Sequence, residues 1–394
     1  MRKIKWLIPF LFLFFFTGCY NYRELNQIAL TSAIGIDQSE NGEYIVTIQV
    51  LNTQKQGSEG SSSGEQPKFI LYEQRGKTLQ SALRTIVFQA PRRLHVNHMD
   101  ILLISEKVAK EGMKDILDFF ARNVEFRKQF LVVISQESDP KEVLQILTPL
   151  ETFNSKDIKE SILANVKYYG TARKVSFEDL LNIYLNERLQ IVLPSLKVIG
   201  KADKGSSEDN IKQSTPDASV QLQPLAVFKD DKLLGYLTDQ QSRTFNYVQN
   251  NIQNSIVTFN CSDEKEFTSE ITSSKTSLKT NAKEKKIYIS IKAKGSIKEF
   301  HCDMDLLDPA VIHNLQTMLN EQMEKIISKS IEEVQDTYQA DIFGFEDVLY
   351  KNSPTAYKKL KEQYGDELIK NLKIEVSVDV KLQTKGNIVR EITR

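Results

Sequence analysis

The chain has 394 residues, 40% hydrophobic and 26% charged, enough to bury large cores without cross-links. Its 52 cations balance its 52 anions, and three of the cations (Arg2, Lys3 and Lys5) precede Cys19. The weakly negative remainder excludes broad nucleic-acid binding and a polybasic membrane patch, both of which need a basic footprint.

After the positive start, Trp6 to Phe16 is an apolar run of 11 residues interrupted only by Pro9. A membrane-spanning helix needs about 20 apolar residues to cross roughly 30 Å of hydrocarbon. This run is shorter and matches the apolar region of a secretory signal. Thr17 and Gly18 are slim, and Phe16-Thr17-Gly18-Cys19 looks like a bacterial lipobox, with Phe16 in place of the usual leucine. Residues 1–18 are therefore read as a signal peptide removed before Cys19. Cys19 would carry S-diacylglycerol and N-palmitoyl groups, and each methylene that enters lipid contributes about 0.8 kcal/mol. The plainer alternatives are a signal peptide with an incidental cysteine, or an uncleaved anchor helix.

Strand and helix signals then alternate from Glu24 to Val198. Tyr44, Val46, Ile48 and Val50 share one face of a period-two strand. Gly57 to Gly64 is a Gly/Ser-rich exposed loop. Phe69 to Tyr72 is a strand, and Thr78 to Phe88 a helix with Leu79, Leu83, Ile86 and Val87 inward. Asp100 to Ile104 and Phe130 to Ile134 are short apolar strands. They flank a helix over Val108 to Ala121 with Ala109, Met113, Ile116, Leu117 and Phe120 inward. Asp139-Pro140 opens another helix, Asp139 as cap and Pro140 where its missing N–H costs nothing.

Residues 19–199 thus form an N-terminal α/β region, with room for two domains. The polar stretch 200–222 reads as an interdomain linker, and 223–394 as a C-terminal α/β domain. There Val227-Phe228, Asp230-Asp231 and Leu233 to Leu237 spell a hairpin, and Ile287, Ile289 and Ile291 a half-buried strand. Asp308-Pro309 starts a long amphipathic helix with an apolar stripe from Val311 to Tyr338, stopped by Asp341 to Gly344. Ile374 to Leu382 is a last alternating strand. The fold class is mixed α+β and α/β: two to three domains, each a mixed sheet with helices packed on it.

No catalytic constellation stands out. Gly76-Lys77-Thr78 resembles the end of a phosphate loop, but Leu71 occupies the place of its first glycine. It reads as a strand-to-helix turn. His95 and His98 have no companion ligand cluster, and a zinc site takes three or four ligands. Nor do His301, Cys302 and His313 complete one. No metal or other cofactor is expected. Cys261 and Cys302 are the only thiols besides Cys19 and are either paired or buried free.

Several stretches together resemble a known family. Cys19-Tyr20-Asn21-Tyr22-Arg23-Glu24-Leu25-Asn26 followed by Gly35-Ile36-Asp37 is similar to the mature start of the Ger(x)C family, the C subunits of spore germinant receptors. The likeness continues through Arg92 to His98 and Arg122 to Arg127, then Ala226 to Lys229, Lys232 to Leu237 and Asp341 to Gly344. Tyr20 stands where many members have tryptophan and Asn123 where an aspartate is common. The resemblance implies three α/β domains and a non-enzymatic lipoprotein on the outer face of the spore inner membrane. It would work with integral-membrane A and B subunits in germination. Arg92, His98, Glu125 and Arg127 are the candidate partner contacts, since their polar segments adjoin buried strands. Ion pairing within the domain is the competing explanation. The alternative function is an extracytoplasmic solute-binding lipoprotein with its ligand in an interdomain cleft.

Overall fold

A computed structural model describes residues 28–52, 67–262 and 265–383. The lipobox, the Cys19–Asn26 motif and the Gly57–Gly64 loop lie outside the described residues.

The first half is built on β1 (Ile28–Gln38), β2 (Tyr44–Leu51), β3 (Phe69–Gly76), β4 (Arg93–His95), β5 (Ile101–Ser105), β6 (Leu131–Ser135), β7 (Val192–Gly200), β8 (Ala218–Lys229) and β9 (Lys232–Tyr236). They form one nine-stranded sheet in the order β3-β2-β1-β5-β6-β7-β8-β9, with β4 also paired to β1. Strands β1, β5, β6 and β7 run parallel, and antiparallel strands extend both edges.

Parallel strands are covered by crossover helices on both faces and so read as continuous apolar runs. Ile101-Leu102-Leu103-Ile104 and Leu131-Val132-Val133-Ile134 are accordingly buried throughout. Helices α1 (Leu79–Thr85), α2 (Glu106–Glu111), α3 (Lys114–Arg122) and α6 (Phe177–Tyr184) place their buried residues in the core on one face. Those of α4 (Pro140–Gln145) and α5 (Asn154–Tyr168) belong to the core on the other.

Several local readings hold. Thr78 caps α1, its hydroxyl accepting the Ser81 N–H at 3.2 Å. Pro140 opens α4, where the Glu142 carboxylate accepts the Asp139 N–H. Others are corrected. The expected helix over Val108 to Ala121 is two helices. Gly112 sits between them at φ +132°, a backbone conformation that L side chains rarely adopt. The break lets the Met113 and Lys114 N–H groups donate to Asp231 at the β8–β9 turn. The helix expected over Thr78 to Phe88 ends at Thr85 and tightens to a 3-10 turn over Ile86–Phe88. Val87, expected inward, is 68% exposed because the turn rotates it off the core face, and Ala82 packs inward in its stead.

Residues 200–222 do not run as an interdomain linker. Gly200 pairs with Ala218, and 218–222 is already β8 within the sheet. Two four-residue helical turns in the excursion are pinned to the body. Asn210 Nδ2 donates to the Leu147 and Ala218 carbonyls, and the Leu147 N–H donates to Gly205. The stretch is polar because it lies on the surface, and its hydrogen bonds to Leu147 and Ala218, with the Gly200–Ala218 pairing, hold it to the first sheet.

The second half has β10 (Ser255–Asn260), β11 (Glu266–Asn281), β12 (Lys286–Phe300) and β13 (Lys373–Gln383) in that sheet order, with β12 and β13 parallel. The expected long helix, α8 (Pro309–Tyr338), has 30 residues, about 45 Å. It packs on the sheet through Leu315, Leu319, Met323, Ile327, Ile331 and Val334. It also protects the sheet edge: Gln316, Asn320 and Glu324 accept the Leu382, Val380 and Val378 N–H groups at 2.8, 2.9 and 2.8 Å. Spacing of four places the three acceptors on one helix face, and an edge strand otherwise leaves such donors open to foreign strands. Cys261 and Cys302 are joined as a disulfide.

The halves share a packed junction. Along β8, Leu225 and Val227 enter the second core while Ala226 and Phe228 enter the first. Helix α7 (Asp239–Val248) bridges to the Asp341–Gly344 motif, where Gln249 donates to the Phe343 carbonyl at 2.7 Å. That motif does not stop α8, which ends at Tyr338 with Gln339 left-handed. It starts α9 (Phe345–Asn352). Asp341 accepts the Glu346 N–H at 2.7 Å, and Gly344 takes φ +73°. Asp347 on α9 then receives Asn186 and Arg188 of the first half at 3.1 and 3.3 Å.

Candidate partner-contact surface

Two segments carry the candidate residues, and the fold brings them to one end of the first sheet. Strand β4 pairs Arg93, Leu94 and His95 with Ile28, Ala29 and Leu30, the first residues of β1. Gly76 pairs with Tyr44, which pairs with Gln38 at the far end of β1. The connection from Gly76 to Arg93 therefore traverses the sheet, and Val87 to Arg92 arrive at the Ile28 end. The connection from β5 to β6 makes the same descent through α3.

The turn after α3 is fixed by aromatic packing and a cap. Phe120 meets Phe126 at 4.8 Å and Phe130 at 5.5 Å between ring centroids, and Phe130 meets Phe177 at 5.3 Å. Lys128 donates to the Phe120 and Asn123 carbonyls at the C-terminus of α3, where a cation opposes the helix dipole. Partial burial holds its ammonium below the usual lysine range. The Asn123 side chain accepts the Glu125 N–H at 3.0 Å, so this turn uses a neutral amide oxygen and needs no carboxylate.

Arg93 and Glu125 form an ion pair between the two segments. Both are about half exposed, so its worth is at most about 1 kcal/mol. It is a pairing within the domain, as the competing explanation expected, but it uses Arg93 rather than Arg92. Arg92 is half-buried and lines a cavity of about 340 Å³ with Ala29, Val50, Ile70, Tyr72 and Pro91. His98 and Arg127 are exposed, with the His98 ring 5.7 Å from that of His95. Arg92 and Arg127 have no ion-pair partner among the described residues. The fold thus gathers Arg92, His98, Glu125 and Arg127 at one end and leaves most of their polar groups outward.

Sequence reading missed the apolar residues beside them. Phe88 is 84% and Val124 94% exposed. The available signal was the run Ile86-Val87-Phe88 at a helix end, followed by Pro91. A separate open groove of about 470 Å³ lies between Lys77–Gln80 and α3, lined also by Tyr44, Asp115, Asp118 and Arg122. It lies within the first half, not at the junction.

Comparison with known proteins identifies this architecture. Residues 21–198 match the family model described as "Spore germination protein N-terminal domain". Residues 223–386 match "Spore germination B3/GerAC like, C-terminal". Spore germination protein KC of Bacillus subtilis (strain 168) is 28% identical over 376 residues, covering 94% of this chain and 92% of that one. Spore germination protein B3 of the same organism is 21% identical over 402 residues, covering 98% of each. The crystal structure of the GerBC protein aligns with a TM-score of 0.52 at 18% identity, covering 89% of this chain and 96% of that one, and so shares the fold. Two family models in series, spanning most of the described sheets, leave one conclusion: the chain belongs to the Ger(x)C family of spore germination proteins.

Proposed function

We propose that this protein is the lipid-anchored C subunit of a nutrient germinant receptor, on the outer face of the spore inner membrane beside integral-membrane A and B subunits. The observation that carries the reading is the lipobox-like stretch Phe16 to Cys19, directly ahead of the two germination modules in their family order. No helix among the described residues is long and apolar enough to cross a membrane. A lipid on Cys19 supplies the attachment, and two acyl chains hold stably where one is marginal. Attachment confines the protein to two dimensions and raises its effective concentration beside its partners.

In this reading the protein binds and scaffolds. Arg92, His98, Glu125 and Arg127 face an integral-membrane partner from the Ile28 end of the first sheet. Deleting the gene should abolish germination in particular nutrients and leave growth normal; normal germination in every nutrient sinks the proposal. Cys19→Ala should end palmitate labelling and membrane retention. Arg127→Glu should spoil recovery of the complex from spore membranes at an unchanged melting temperature. A lowered melting temperature would return Arg127 to an intradomain role.

A further inference from the structure

We infer that the Ile28 end of the first sheet rests on the lipid surface, with Val87, Phe88 and Val124 inserted at the boundary between headgroups and acyl chains. This inference rests on the anchor reading and deepens it, since it gives the tethered domain one orientation.

Three observations meet at this end. First, Cys19 lies nine residues before Ile28. Even fully extended, nine residues reach only about 30 Å. A lipid on Cys19 therefore keeps the start of β1 within that distance of the bilayer, whatever path the chain takes. Second, this end carries large apolar side chains that the fold does not use. Val87, Phe88 and Val124 are 68%, 84% and 94% exposed. They sit at the ends of the two descending connections, which the Arg93–Glu125 pair ties together. Scattered exposed apolar residues are ordinary; these three follow the two helices that run toward the tether end, in the connections joined by the Arg93–Glu125 pair. Third, the charge here suits phosphate headgroups. Arg84 in the last turn of α1, Arg92 and Arg127 have no ion-pair partner among the described residues, whereas Glu125 is paired.

The inference agrees with the chain's weak net charge. Attachment is led by apolar side chains and acyl chains, with a few arginines at the rim. It also agrees with partner contact through Arg127 and His98, because an integral-membrane partner meets a neighbour at the level of the headgroups.

Tryptophan fluorescence tests it. The chain's one tryptophan, Trp6, precedes Cys19, so the mature lipoprotein offers a dark background. Phe88→Trp and Val124→Trp each replace an exposed side chain, which leaves folding intact. Leu185→Trp is the control: it is 70% exposed and adjoins Asn186, which bonds Asp347 of the second half. Each full-length mature protein is reconstituted alone in vesicles of phosphatidylglycerol and phosphatidylcholine. Emission at positions 88 and 124 should shift to the blue and be quenched by lipids brominated near the headgroup, at a depth of about 5–10 Å. Emission at position 185 should stay solvent-like.

Solvent-like emission at 88 and 124 in vesicle-retained protein overturns the inference and leaves the anchor standing. A blue shift that requires added A and B subunits overturns it in favour of a protein contact. Should the protein wash off and take no palmitate label, the anchor reading fails. The two substitutions then decide separately, on addition of the same vesicles, and no shift overturns the inference.

Discussion

Asp341 offers a direct test of how the junction motif is held. Burial is the main reason its carboxyl is pushed up from 3.8 to about 7, with the nearby Glu346 carboxylate adding to the effect. Its Oδ2 accepts the Glu346 N–H, while its Oδ1 has no partner among the described residues. Below about pH 4 the group is protonated in both the folded and unfolded chain and contributes no pH dependence. From there to about pH 7 the unfolded chain loses its proton and the folded chain keeps it, so folding stability falls as pH rises. A gap of about three pH units at about 1.4 kcal/mol each comes to about 4 kcal/mol by pH 8. Asp341→Asn keeps an oxygen for the Glu346 N–H and removes the titration. The buried amide NH2 adds a cost, but one that does not vary with pH. The assay is urea unfolding followed by far-UV circular dichroism at intervals from pH 4 to pH 8. The difference between variant and parent should move by up to about 4 kcal/mol in favour of the variant as pH rises. Parallel stability curves for the two proteins would refute the burial argument.

Three further outcomes are expected. Cys302→Ser opens a loop of 41 residues in sequence separation and should cost about 4 kcal/mol in the chain-entropy account, seen as a lower urea midpoint that reductant reproduces in the parent. Leu319→Ala empties a fully buried position between α8 and its sheet and should cost about 2–5 kcal/mol, measured by the same unfolding curves. Gly112→Val meets both the φ of +132° and the Asp231 carboxylate, 2.8 Å from an added Cβ. About 1–3 kcal/mol of destabilisation should follow, with faster hydrogen exchange at the Met113 and Lys114 amides, which bond Asp231.

Periodicity found the elements whose two faces differ. Strand β12, with Ile287, Ile289 and Ile291 inward, and the α8 stripe were legible because one side of each meets a core and the other meets water. It failed at β1, an interior strand flanked by β2 and β5. A bulge between Thr31 and Ala33 puts Ala29 in the first core and Ala33 in the core under α4, and at Gly35 α4 presses so close that a Cβ would lie 2.6 Å from the Pro140 Cβ. That closeness removes the apolar alternation a strand normally shows. Strand β11 was equally silent, since its serines and threonines fit a pleated edge region without an apolar rhythm.

For the surface, local composition was enough to single out the polar segments and the motifs in family order. It also determined caps, turns and the signal-like start, because these depend on residues a few positions apart. Long-range packing sets the rest: Arg93 rather than Arg92 takes Glu125, 200–222 is stitched to the body, and Val87 turns outward. It alone decided that the two polar segments, far apart along the chain, share the end where β1 begins. Each of these depends on which distant strand pairs with which, and pairing is set by the packing of whole faces, not by any short stretch of residues.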